Sequence, residues 1–194
     1  MHVPDYVVYF LTGQTVLEKK EIGIRNMIRR LEHKDAPLML EWMHEKDINR
    51  AFRQPFGRFT AMDAVRFIDN SFTDKNRHFA VINESDEYLG TVSLKNISQA
   101  DRSAEYAIIV RSAARGTGVA RLATENILNY AFNVLGLHRV YLNVLAQNER
   151  ARHFYTKCGF VYEGTSKDAI LLNGRYESLA WYGMINDKEQ DKDE

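Results

Sequence analysis

Apolar and polar positions change their period several times along the chain, and each change marks an element. A β-branched and aromatic run over 6–11 predicts a strand, closed by the charges of Glu18, Lys19, Lys20 and Glu21. Another strand is expected over 24–31. Asp35 then stands as a candidate N-cap with Pro37 in the first turn, and Leu38, Leu40, Trp42 and Met43 carry a helix to about Glu45. Thr60, with Asp63 three residues on, predicts a capping box opening a second helix whose Val65, Phe67 and Ile68 face inward. Apolar runs over 78–82 and 88–94 read as a hairpin around polar 83–87, and 103–110 reads as the next strand.

In the second half, Val119, Leu122, Ala123, Ile127, Leu128, Ala131, Val134 and Leu135 recur at helical spacing, and Gly136 closes that helix. A strand follows over 139–144. Asn148 can cap a helix over 149–157 that Gly159 ends. Strands over 160–163, 169–172 and 177–185 complete the pattern, with a turn at Asn173 and Gly174. Residues 186–194 hold no apolar side chain and read as a disordered charged tail. The expected organisation is an N-terminal extension, docked or disordered, over 1–21, one domain over 22–185, and the tail.

One stretch carries chemistry. The apolar strand ending Ile108, Ile109 and Val110 delivers the backbone into Arg115, Gly116, Thr117, Gly118, Val119 and Ala120, which opens directly into the long helix. A helix start leaves several N–H groups without partners, and the positive end of the dipole points the same way. Such a turn is a cradle for a phosphate or pyrophosphate. Gly116 and Gly118 supply the positive φ and close approach that a side chain would block.

Arg115-x-x-Gly118-x-Ala120, followed by Asn148-x-x-Ala151-x-x-x-Tyr155-x-x-x-Gly159-Phe160, resembles the GNAT superfamily of acetyl-CoA-dependent N-acetyltransferases over most of the chain. The resemblance implies an α+β, three-layer fold: a mixed, strongly bent sheet of about seven strands with helices on both faces. It implies acetyl-CoA as co-substrate. Its pyrophosphate would lie on the turn from Arg115 through Gly116, Thr117, Gly118 and Val119 to Ala120, and its pantetheine arm would pair with the backbone of Ile108, Ile109 and Val110. Asn148 belongs to the second motif, in which Tyr155 would protonate or hydrogen-bond the departing sulfur. Glu105 is where several such enzymes place a carboxylate that deprotonates the amine directly or through water. Asn143 stands where some ribosomal-protein acetyltransferases have a glutamate base. The later part, through Glu163, Gly164 and Asn173 to Tyr176, is similar to the branch holding ribosomal-protein, polyamine and amino-sugar acetyltransferases. The implied reaction is direct acetyl transfer in a ternary complex to a primary amine, small molecule or peptide. Acetylation of a protein N-terminus and a catalytically idle acyl-CoA-binding module stay open as alternatives.

In this fold the first helix pair and its loop form a wall of the acceptor site. That loop mixes Arg50, Arg53 and Arg58 with Phe52, Phe56 and Phe59, which suits a polar or anionic acceptor better than a polyamine.

Composition adds exclusions. Lys plus Arg and Asp plus Glu both number 26, so overall charge favours neither nucleic acid nor a membrane surface as partner. The single cysteine, Cys158, allows no internal disulfide and fits a reducing compartment, hence the cytoplasm. It stands near Tyr155, but no His or Asp at a recognisable spacing would activate it, so it reads as a small buried residue. No apolar run is long enough to span a bilayer. The six histidines show no metal-ligand spacing, so no metal is expected. Monomer and homodimer are both left open.

Overall fold

The computed structural model describes residues 27–46, 48 and 55–186, with the backbone of two short strands before them. Those strands, β1 (Tyr9–Leu11) and β2 (Gln14–Val16), pair antiparallel. The strand expected over 6–11 is therefore seen only in its second half, and the charged tail and loop residues 49–54 lie outside the described residues.

Seven strands form the main sheet: β3 (Ile28–Arg30), β4 (Arg77–Ile82), β5 (Tyr88–Ser98), β6 (Ser103–Val110), β7 (Arg139–Leu145), β8 (Val161–Leu172) and β9 (Arg175–Ile185). Their spatial order is β3-β4-β5-β6-β7-β9-β8, and every neighbouring pair is antiparallel except β6 with β7. Helices α1 (Ala36–Met43) and α2 (Ala61–Asp69) pack on one face. Helices α3 (Val119–Asn129) and α4 (Glu149–Lys157) cover the other. The mixed sheet with helices on both faces is the architecture that the motifs imply.

The core is correspondingly split. Val119, Ala123 and Ile127 of α3 pack with Val92, Leu94, Tyr106, Val140 and Leu142 of the sheet. Met39, Trp42 and Met43 of α1 join Ala64 and Ile68 of α2 over Ala80 and Tyr88. Strand alternation decides which side each β6 residue serves. Tyr106, Ile108 and Val110 belong to the α3/α4 side, and Ile109 to the α1/α2 side.

The feature that positions the site is a fork. β6 and β7 pair only at Ser103↔Arg139, Ala104↔Val140 and Glu105↔Tyr141. Beyond that point β6 stays with β5 as far as Val110, while β7 stays with β9 as far as Leu145. The two parallel strands thus separate and leave a notch between them. Gly90 holds one side of it, because a Cβ there would meet Ile109 O at 2.2 Å and Val110 Cα at 2.9 Å. No residue with a side chain fits that close approach.

Several local expectations are corrected. Asp35 precedes α1 but makes no cap hydrogen bond to it. Its carboxylate instead accepts from Glu32 N at 2.9 Å, within the 3₁₀ turn His33–Asp35, and binds both terminal nitrogens of Arg29 at 2.8 Å. The long helix ends at Asn129 and passes into a π-turn, Tyr130–Val134, before Gly136 at φ +63. The strands expected separately over 160–163 and 169–172 are one strand, β8, broken in register between Tyr162 and Gly164 and between Ser166 and Ile170. Thr60 and Asp63 do form the reciprocal capping box at the start of α2.

Candidate active site

From Val110 the chain makes a 3₁₀ turn, Ser112–Ala114, then reaches Gly116 at φ +84 and Gly118 at φ +86, the residue that opens α3. Arg115 N donates to Ser112 O, and the amides of Arg121 and Leu122 donate to Gly118 O. Among the described residues, the five amides from Gly116 to Ala120 have no backbone acceptor. That is a row of N–H groups at a helix start, on backbone that two left-handed glycines curl into a bowl.

Across the notch, α4 begins at Asn148, whose Oδ1 accepts from Ala151 N at 3.1 Å. The cap fixes the helix phase, so Ala151, Phe154 and Tyr155, spaced three and four apart, face one way. These residues and the turn enclose a cleft of about 540 Å³. Ile108 and Val110 of β6 form its floor, the turn from Ala114 to Arg121 one wall, and Asn148 to Tyr155 the other. The volume is in the range of a small-molecule or cofactor site, about 300–1,000 Å³.

Tyr155 is half-buried among aromatic rings, with Phe154, Tyr106, Phe160 and Tyr182 at centroid distances of 5.5, 6.1, 6.2 and 6.3 Å. Burial, with a smaller contribution from Cys158, pushes its phenol up to about 12. Burial also pushes the Cys158 thiol up, which disfavours the nucleophilic thiolate.

Of the residues singled out in the sequence, the cleft gathers Ile108, Val110, Arg115, Gly116, Gly118, Ala120, Asn148 and Tyr155. Ile109 packs on the opposite face, Val119 is buried under α3, and the Thr117 hydroxyl donates to Ala114 O at 2.8 Å. Their side chains do not line the cleft. Glu105 does not line it either. It is the last β6 residue paired with β7, and its carboxylate accepts from Lys95 Nζ and Asn96 Nδ2, both at 2.8 Å. By strand parity it faces the α1/α2 side, at the base of the fork. Ala151, a fixed position of the second motif, also lines the cleft, as do Phe154, Arg121 and Arg150, to which the sequence pattern assigned no role. Phe154 could have been found from helical spacing to Ala151. The two arginines are basic residues in the first turns of the two helices, where phosphate would be met.

A second cavity, of about 680 Å³, lies beside the β8–β9 turn, lined by Leu145, Gln147, Leu172, Asn173, Arg175 and Glu177. Gln147 borders this cavity and Asn148 the first, so the short β7–α4 connection separates them. Among the described residues, no group of three or more His, Cys, Asp or Glu side chains is placed to hold a metal ion, and no helix is long and apolar enough to cross a membrane.

The forked mixed sheet thus brings the amide row at the start of α3 and the Tyr155 phenol into the same cleft. The chain belongs to the GNAT acetyltransferases: the family described as "Acetyltransferase (GNAT) domain" matches residues 25–161. It is similar to the spermidine N(1)-acetyltransferase of Vibrio cholerae, at 31% identity over 172 residues, covering 86% of this chain and 96% of that one. The spermidine N(1)-acetyltransferase of Escherichia coli K12 is 31% identical over 156 residues, covering 78% and 81%. The crystal structure of the Vibrio cholerae enzyme in complex with CoA and spermine superposes with a TM-score of 0.74 at 29% identity, covering 81% of this chain and 94% of that one. The chain is accordingly an acyltransferase that moves an acetyl group from acetyl-CoA to a primary amine.

Proposed function

We propose that the amide cradle from Gly116 to Ala120 binds the pyrophosphate of acetyl-CoA and that Tyr155 protonates the departing sulfur. The observation that carries this is the sharing of one cleft by the partnerless amides and Tyr155, across a fork where β6 has lost its β7 neighbour. The exposed edge of β6 near Ile108 and Val110 offers its main chain to an amide-rich arm, as it would to an added strand. Arg115, Arg121 and Arg150 supply positive charge at the cradle end.

The chemistry balances without a covalent enzyme intermediate. The neutral amine attacks the thioester carbonyl, the C–N bond forms, and the C–S bond breaks. The proton of Tyr155 goes to the sulfur, the amine gives up its proton to the base, and that proton returns through water to the tyrosinate, so no net proton is gained or lost. A phenol pushed up to about 12 by burial stays protonated at neutral pH, so its O–H is present to meet the charge that develops on the sulfur. Glu105 is proposed as the base, acting through water, because it stands at the base of the fork on the face opposite the cradle.

The acceptor is proposed to enter from that opposite face, between the α1/α2 wall and the β8–β9 turn beside the second cavity. The named activities of the relatives put spermidine first in a substrate panel. Phe56, Phe59 and Arg58 of the adjoining loop favour instead an acceptor with an apolar face and negative charge. Incubating the protein with acetyl-CoA and a panel of spermidine, amino-sugar nucleotides and acidic peptides, while following free thiol, decides between them. Amine-dependent thiol release supports the acetyl-CoA reading, and its absence with every amine opposes it. Spermidine as best acceptor would overturn the reading of the loop.

A further inference from the structure

The last turn of α1 carries Glu41, Glu45 follows two residues past the helix end, and both reach the segment that leads into the cradle. Glu41 Oε2 accepts from Arg111 Nη2 at 2.7 Å, while Arg111 Nη1 donates to Glu87 Oε1 at 3.1 Å and to Tyr88 O at 3.0 Å. Glu45 Oε2 accepts from Ser112 Oγ at 2.6 Å and from Arg115 Nη2 at 2.7 Å, and its Oε1 accepts from Ser112 N at 3.4 Å. The 3₁₀ turn Ser112–Ala114 is thus held through Arg111 by the last turn of α1, and through Ser112 and Arg115 by the residue just past its end, some seventy residues away in sequence. Burial raises the Glu45 carboxyl, but Ser112 and Arg115 outweigh it and hold the group below its usual range. It is therefore a carboxylate at neutral pH, and bonds to a charged acceptor are the stronger kind.

Arg115 borders the cleft with its amide next to the first glycine of the bowl. A guanidinium has five N–H donors, so binding Glu45 leaves it able to offer others to a phosphate. The far end of α1 leads into the loop assigned to the acceptor wall. Glu45, two residues past α1, therefore joins the end of the acceptor-side helix to the turn of the cofactor side.

Resting on the acetyl-CoA reading, we propose that Glu45 is a positioning residue that fixes the cradle turn against α1, so that cofactor affinity depends on this contact and the two substrates tighten each other through it. Glu45→Gln keeps an acceptor for the Ser112 hydroxyl and for Arg115 while removing the charge, whereas Glu45→Ala removes both. Calorimetry of the full chain with CoA alone, and steady-state rates with the best amine of the panel, test this. Glu45→Ala is expected to weaken CoA about tenfold, to raise KM for the amine in the same direction, and to leave kcat near that of the unmodified protein, the size expected of a coupling between sites. Glu45→Gln is expected to restore most of the affinity. Unchanged CoA affinity in folded Glu45→Ala, or an equal defect in both variants, would overturn the proposal. If Glu45→Ala does not fold, Ser112→Ala removes the partner hydroxyl alone and must weaken CoA for the proposal to stand. Failure of the unmodified protein to bind CoA would instead overturn the acetyl-CoA reading, before any variant is compared.

Discussion

The two faces of the sheet near the fork are built by different means. On the α3/α4 face the cleft is made chiefly of main chain: five amides of one turn, the edge of β6, and a helix capped by Asn148. Two contiguous segments supply nearly all of it. Towards the α1/α2 face the polar groups are side chains, some brought together from far apart, such as Glu41 with Arg111, and some paired across neighbouring strands, such as Lys95 with Glu105. A site for a constant ligand, the cofactor, can be written in backbone geometry. A site for a variable acceptor is written in side chains, which change without disturbing the fold.

The contrast can be broken at the cradle first. Gly118 sits at φ +86, where a β-branched residue is strained by about 1–2 kcal/mol. Gly118→Val should therefore fold with reduced stability yet lose CoA affinity by about a hundredfold or more, as a phosphate site needs that close approach. Undiminished affinity in calorimetry would mean that main chain does not hold the pyrophosphate. Tyr155→Phe comes next. It keeps the ring and its aromatic neighbours, so kcat should fall by about a hundredfold with little change in KM for acetyl-CoA. A nearly full kcat, with chemistry shown to limit the rate, would return Tyr155 to a packing role.

On the other face the effects should be smaller. Glu105→Gln is expected to lower kcat about tenfold at neutral pH, less than the usual range for acid–base groups because water stands between. The deficit should shrink as pH rises and the amine loses its proton unaided. A pH-independent deficit would instead mark Glu105 as a partner for Lys95 only.

His78 gives the face its own pH signature. It lies on β4 with Nδ1 2.7 Å from Ser93 Oγ and its ring 4.8 Å from that of Phe67. Burial, and then the charge of Lys95, push it down to about 4. The unfolded chain binds this proton from about pH 6.5 downward and the folded chain only near 4, so stability is full above 6.5, falls as pH drops below it, and is fully lost once pH has passed through 4. The shift corresponds to about 3 kcal/mol. Urea unfolding at pH 7 and pH 4.5 should show that loss, and His78→Asn should flatten it. An equal loss in both proteins would place the acid sensitivity elsewhere.

What could be read in advance follows the same division. Gly116, Gly118, Asn148 and Tyr155 lie within forty residues and declare themselves by spacing, since turn and helix phase are local properties. The capping box at Thr60 and Asp63 is equally local. The fork was not legible, because nothing in 103–110 or 139–145 alone says that pairing stops after Glu105 and Tyr141. β8 read as two strands because its register breaks, with Asp168 at φ +50, interrupt the alternation. Asp35 looked like a helix cap because a cap and an arginine partner need the same side chain, and only the folded position of Arg29 decides between them.

Direct transfer across the fork, from a thioester in the cleft to an amine on the opposite face, is tested most directly by rapid mixing of the protein with acetyl-CoA. Without amine, the account requires no burst of free thiol and no acetylated protein. With an accepted amine, it requires one thiol released for each acetylated product. A thiol burst matching the enzyme concentration before any amine is added would contradict it, pointing to an acetyl-enzyme and reopening Cys158 as a nucleophile.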